Sequence, residues 1–149
     1  MDTARNDKLI DCSFCSNLEQ AGTLVYEDGR CAVFLHPDSA VAGHAMVVWK
    51  RHVENVADLD DEERAHFSRI HAAAERALLD VTRTERAILL KLGIQTPHLH
   101  LHIYPVSMAL DRNAVQRIID GKVREERHVH FADEVRLGLR RLTAAFPKT

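Results

Sequence analysis

The 149-residue sequence has no apolar run approaching the roughly 20 residues needed to cross a bilayer, so no transmembrane span is expected. It also lacks a dense basic block. Twenty Lys and Arg are scattered among 22 Asp and Glu, for a formal net charge of -2. Nucleic-acid and membrane-surface binders normally carry a clustered positive field, and the lack of one argues against both partners. There are three cysteines, an odd number, and two of them lie close together as Cys12-Ser13-Phe14-Cys15. A disulfide framework is therefore not expected. No internal repeat, low-complexity run or linker interrupts the chain. The lead from Met1 to Asp11 is polar and has no apolar signal core, which predicts a cytoplasmic protein. With 46% apolar and 28% charged residues, the whole of 1–149 reads as one ordinary globular domain with one core.

Histidine is what the sequence does have, ten times. The elements that carry these histidines follow from local pattern. Thr23–Glu27 and Cys31–Leu35 are rich in β-branched and aromatic residues and flank an Asp28-Gly29 turn, a hairpin signal. Ala45–Trp49 reads as a buried third strand. Asp60 is placed to cap a helix, with Glu63 three residues on as its capping-box partner. Phe67, Ile70, Ala74, Ala77, Leu78 and Val81 carry that helix to about residue 82. Arg86–Leu92 and His98–Val106 read as two more strands. A short helix follows near Ala114–Asp120 and stops at Gly121. A last helix places Val135, Leu139, Leu142 and Phe146 on one face. Strands and helices grouped in this order predict an α+β fold, a mostly antiparallel five-stranded sheet with the long helix on one face and the other face open for a ligand.

The open face is where the chemistry should lie. His98, His100 and His102 alternate with Leu99, Leu101 and Ile103. Successive strand side chains point to opposite faces, so the three imidazoles share one face and the aliphatic residues enter the core. Such a row allows three readings: a nucleophile with helpers, a metal site built on an H-x-H pair, or a solvated polar face. His66, His71, His128 and His130 read as surface or partly buried residues with no assigned role, and Cys31 as a small buried apolar residue.

The run His98-Leu99-His100-Leu101-His102-Ile103-Tyr104 resembles the signature of the histidine-triad (HIT) family. The likeness extends through Phe34-Leu35 to Gly43-His44, and through Val47-Val48-Trp49-Lys50-Arg51-His52-Val53-Glu54-Asn55 to Leu59. It covers about residues 12–106, leaving 107–149 as a C-terminal helical extension. The resemblance implies a HIT-like fold and a homodimer. It also implies His100 as a nucleophile that attacks an α-phosphorus to form a nucleotidyl-histidine. His102 would bind phosphate oxygens or help the leaving group, and His44 would orient His100. In the zinc-containing branch of the family, Cys12, Cys15, His52 and His98 would hold a structural Zn²⁺. The implied substrate is a small-molecule nucleotide: a phosphoramidate, a dinucleoside polyphosphate or a nucleotide sugar.

The sequence departs from the family at three places. His36 stands where an acidic residue usually grips the ribose, leaving Asp38 as a substitute. The stretch before the triad is only Lys91 to Pro97, with Gln95 and Thr96 as phosphate donors and Lys91 as added charge. Val106 stands where an arginine is common. His36 and the short stretch before the triad keep open a nucleotide-binding protein with little turnover, and the histidine row itself keeps open a catalytic zinc held by all three triad histidines.

Overall fold

A computed structural model describes residues 12–36, 41–122 and 131–146. Five strands form one antiparallel sheet: β1 (Thr23–Glu27), β2 (Cys31–Leu35), β3 (Ala45–Trp49), β4 (Arg86–Leu90) and β5 (His100–Val106), in the order β1-β2-β3-β5-β4. The helices are α1 (Ser13–Ser16), α2 (Asp61–Thr82), α3 (Arg112–Ile119) and α4 (Ala132–Thr143), with 3₁₀ turns at Leu18–Ala21 and Val56–Asp58. The fold is thus the α+β architecture expected from the order of elements.

The long helix α2 starts where its capping chemistry dictates. The Asp60 carboxylate accepts from the Glu63 N–H at 2.8 Å, and the Glu63 carboxylate accepts from the Asp60 N–H at 3.1 Å. Its apolar face, including Phe67, Ile70, Ala74 and Leu78, packs on one face of the sheet. Val33, Val47, Trp49, Leu99 and Ile103 meet it there, joined by Val135 and Leu139 of α4. Helix α4 is also tied to the sheet edge, where the Arg136 guanidinium donates to the Leu24 carbonyl at 2.9 Å.

The opposite sheet face carries the histidines. Phe14 of α1, with Leu18 and Ala21, packs over Ala32, Phe34, Met46 and Val48 at one end. Ile118 of α3 packs with Val41, Tyr104 and Val106 at the other.

The structure differs from the pattern reading at element ends. β5 starts at His100 rather than His98, because the N–H groups of the two preceding residues bond to loops instead of strands, although the Leu99 carbonyl still accepts from the Trp49 N–H of β3 at 3.1 Å. The Leu99 N–H donates to Val53 O at 2.7 Å and the His98 N–H to Thr96 O at 2.8 Å. β4 ends at Leu90, not Leu92. α3 begins at Arg112 because Asp111 caps it, accepting from the Ala114 N–H at 2.8 Å. Leu142, expected on the inner face of α4, is 37% exposed. The one-turn helix α1 has no apolar period of its own and could not be foreseen.

Gly43, just before β3, holds φ at +80°. A Cβ built there would lie 2.7 Å from Thr82 Cγ2 and 3.1 Å from Pro105 Cγ. Gly43→Ala therefore meets both backbone strain and a steric clash. It should destabilise the protein by roughly 1–3 kcal/mol, read as a lower urea midpoint at unchanged slope.

Candidate functional site

The two antiparallel ladders place the histidines. β3 pairs with β5 so that Val48 faces His100 and Met46 faces His102. β4 sets Leu90 opposite His102 on the other side. One step beyond the paired residues, His44 comes level with Tyr104, and the two rings stack at 4.1 Å. His44 Nε2 then lies 2.9 Å from His102 Nδ1. This differs from the expectation that His44 orients His100: His44 hydrogen-bonds His102, because the register sets it four residue pairs from His100.

His100 is oriented by the backbone instead. Its Nδ1–H donates to the His98 carbonyl at 2.6 Å, which leaves Nε2 without a proton. Burial holds His100 below the ordinary imidazole pKa, and the Lys91 cation adds to this against the pull of the His98 carbonyl. His102 goes further, down to about 4, through burial and the nearby His100 and His36 imidazoles. Both rings are therefore neutral near pH 7. The His36 ring stacks on His44 at 4.5 Å with an 8° tilt, so the position that departs from the family pattern sits beside the triad.

The lowered His102 pKa has a consequence for stability. The unfolded chain takes up a proton near 6.5, whereas folded His102 resists until about 4. The folded state keeps its full advantage above 6.5 and loses it as pH falls from 6.5 toward 4. Wild type should therefore lose more of its urea midpoint than His102→Gln between neutral pH and about pH 5.

His98 turns away from this pair. Its Nε2–H donates to the Trp49 carbonyl at 2.5 Å, so Nδ1 presents a lone pair. That atom lies 3.4 Å from Cys12 Sγ, 3.5 Å from Cys15 Sγ and 3.2 Å from His52 Nδ1, and Cys15 Sγ lies 3.2 Å from His52 Nδ1. With metal–sulfur bonds near 2.3 Å and metal–nitrogen bonds near 2.0 Å, the edges of a tetrahedral site span about 3.3–3.8 Å. The four ligand atoms fit such a site. Burial and the adjacent Cys12 push the Cys15 thiol up to about 11, the penalty of two thiolates side by side that a divalent cation would relieve. The triad histidines do not converge on a shared ion. Among the described residues, the metal-competent groups contain His98 but neither His100 nor His102.

A second cluster, Asp28, Cys31 and His66, has a structural explanation. Asp28 Oδ1 accepts from the Arg30 and Cys31 N–H groups at 2.7 Å each, and Oδ2 accepts from Tyr26 Oη at 2.7 Å. His66 Nε2 lies 2.8 Å from the same Oδ2. Burial disfavours the Asp28 carboxylate, but these hydrogen bonds outweigh it and hold the group below its usual range. Burial, with Asp28 nearby, pushes the Cys31 thiol up and keeps it protonated. The cluster pins the β1–β2 turn to α2. His66, expected at the surface or partly buried, is instead 4% exposed. The available signal was its place beside Phe67 on the buried stripe of α2.

Gln95 is exposed on the loop before the triad, and half-buried Thr96 supplies the carbonyl that receives the His98 N–H. Lys91 Nζ donates to Asn55 Oδ1 at 3.1 Å. Asp38, His128 and His130 lie outside the described residues. Pattern reading missed Phe14, whose ring meets the rings of both His98 and His100. It also missed a cavity of about 450 Å³ on the same side of the sheet, lined by residues including Leu18, Leu24 and Phe34. Among the described residues no helix is long and apolar enough to cross a membrane.

The HIT domain family model matches residues 17–108, more than half of the chain. Protein hit of Bacillus subtilis is 31% identical over 104 residues, covering 64% of this chain and 70% of its own length. An uncharacterized HIT-like protein of Borreliella burgdorferi is 26% identical over 106 residues, covering 65% and 76%. Among solved structures, a Zn-bound histidine triad family protein from Mycobacterium smegmatis aligns with TM-score 0.67 at 19% identity, over 92% of this chain and 99% of that one. A hypothetical histidine triad nucleotide-binding protein from Sulfolobus tokodaii aligns with TM-score 0.64 at 21% identity, over 89% and 94%. The chain belongs to the HIT domain family.

Proposed function

We propose that this protein cleaves or transfers at the α-phosphate of nucleoside 5′-phosphate derivatives through a nucleotidyl-histidine on His100. The observation that carries this reading is the His100 ring: Nδ1–H is committed to the His98 carbonyl, so a neutral Nε2 lone pair is available on the open face. In the first step that lone pair attacks the α-phosphorus. A P–N bond forms, and the bond from phosphorus to the leaving group breaks with its electron pair. Water then attacks the phosphorus and gives up a proton to solvent, the P–N bond breaks with its electron pair returning to Nε2, and a nucleoside monophosphate is released. A proton between His44 Nε2 and His102 Nδ1, when carried by His44, leaves His102 with its own proton on Nε2. His102 can then donate to a phosphate oxygen or the leaving group. Lys91, steadied by Asn55, adds positive charge for the phosphates, and Gln95 and Thr96 are the further donors. The cavity by Leu18 and Phe34 suits the base, while His36 holds the sequence position of the family's acidic ribose contact.

The same reading assigns a structural Zn²⁺ to Cys12, Cys15, His52 and His98. When bound, it would clamp the N-terminal segment to the sheet and take no part in the chemistry. It also places the protein in the cytoplasm as a homodimer. The exposed Leu89, Leu92 and Ile94 on and beyond edge strand β4 support self-association, which sedimentation would test.

Chromatography of products from adenosine phosphoramidate, diadenosine polyphosphates and nucleotide sugars tests the function. Nucleoside monophosphate release from one class supports it and names the leaving group. No release from any class, by folded and metal-loaded protein, would overturn it in favour of nucleotide binding with little turnover, the reading His36 motivates.

A further inference from the structure

Phe14 lies between the two cysteines of the metal-competent cluster, on a helix of four residues. Its ring meets the His98 imidazole edge-on at 5.5 Å and 88°, and the His100 imidazole at 5.0 Å and 84°. The rest of the ring packs with Leu18 and Ala21 on Ala32, Phe34, Met46 and Val48. One side chain thus touches a candidate metal ligand, the nucleophile and the apolar sheet face together.

The nucleophile is held polar-side by a single hydrogen bond, from Nδ1 to the His98 carbonyl. A single hydrogen bond leaves the ring free to tilt about it, and a T-shaped aromatic contact removes that freedom. The His102 ring restrains His100 from within β5, edge-on at 5.1 Å and 69°, while two further restraints come from the cluster: the carbonyl belongs to His98, and Phe14 sits between Cys12 and Cys15. A four-residue helix has no stability of its own. What holds it in place is its apolar contact and whatever joins Cys12 and Cys15 to His52 and His98.

We infer that Phe14 is a positioning residue that transmits occupancy of the Cys12–Cys15–His52–His98 cluster to the ring orientation of His100. The inference rests on the metal and nucleophile roles proposed above. The cation would thereby govern the reaction without contacting substrate, by holding Phe14 against the nucleophile.

The test compares wild type, Phe14→Leu and Phe14→Tyr, each zinc-loaded and chelator-stripped. It reads zinc content, the NMR resonances of the His100 ring protons, and kcat and KM for nucleoside monophosphate release. Phe14→Leu should keep stoichiometric zinc and shift the His100 ring resonances. Stripping wild type should shift them in the same direction, while stripping Phe14→Leu should add little. Loss of orientation should lower kcat roughly tenfold to a hundredfold with KM nearly unchanged. Phe14→Tyr, which keeps the ring, should restore both readouts. Unshifted His100 resonances in Phe14→Leu would overturn the inference. So would stripping that moves Phe14→Leu as far as wild type, or wild type that binds no zinc. A raised KM at unchanged kcat would make Phe14 a wall of the substrate pocket instead. If no substrate is turned over, the proposed function fails, yet the resonances still decide the role of Phe14.

Discussion

His100→Ala is expected to abolish nucleoside monophosphate release, with a loss of about 10⁴-fold or more in kcat, because removing a nucleophile forfeits the whole covalent route. The substitution deletes the triad ring whose unprotonated Nε2 is fixed by a backbone carbonyl, here at 2.6 Å, and lies outside the candidate metal cluster that takes the Nδ1 lone pair of His98. His102 cannot take over. Its Nδ1 is engaged with His44 at 2.9 Å, and the β3–β5 register keeps it opposite Met46 rather than Val48. The variant should fold and keep a bound zinc, since His100 is not in the candidate metal cluster and its four ligands remain. Zinc content and product release, measured on the same preparation, separate two mechanisms. Lost activity with zinc retained supports the nucleophile. Loss of both would point to a catalytic ion held by the triad. Activity close to wild type would remove His100 from the reaction altogether.

The second large effect concerns stability. Cys12→Ser should lose the metal and lower the melting temperature, whereas chelation should do the same to wild type reversibly. A ligand that binds only the folded state adds about 4 kcal/mol when its concentration is a thousandfold above Kd. Cys12 is the sharper choice because it is 6% exposed, while Cys15 is exposed and its loss leaves room for solvent to substitute. Cys31→Ser serves as the control. Cys31 is also buried, but it lies in β2 with its thiol protonated, so its variant should retain zinc. Equal zinc content in wild type and Cys12→Ser would refute the assigned ligand set.

Element positions were legible where a local rule governs them. The ends of β1, β2 and β3 follow from β-branched runs bounded by Asp28-Gly29 and Gly43, and α2 starts at its Asp60–Glu63 capping box. The alternation of His100 and His102 with Leu101 and Ile103 placed the two imidazoles on one face of β5, because strand periodicity needs no partner, whereas His98 precedes the strand and turns to the cysteines. Ile103 is fully buried, as that alternation requires. The family likewise follows from residues read in order.

Contacts between distant residues could not be read that way. Cys12 and His98 are 86 positions apart and meet only because α1 folds over the start of β5. His44 and His102 are 58 apart, and the β3–β5 register alone decides that His44 serves His102 rather than His100. The Asp28–His66 pin, the orientation of His100 by a backbone carbonyl and the ring of Phe14 against two imidazoles are of the same kind. Sequence by itself determined which groups could do chemistry, since periodicity and capping act over a few residues. Tertiary structure alone decided which groups touch, because register and helix packing set distances between atoms that the chain order leaves unrelated.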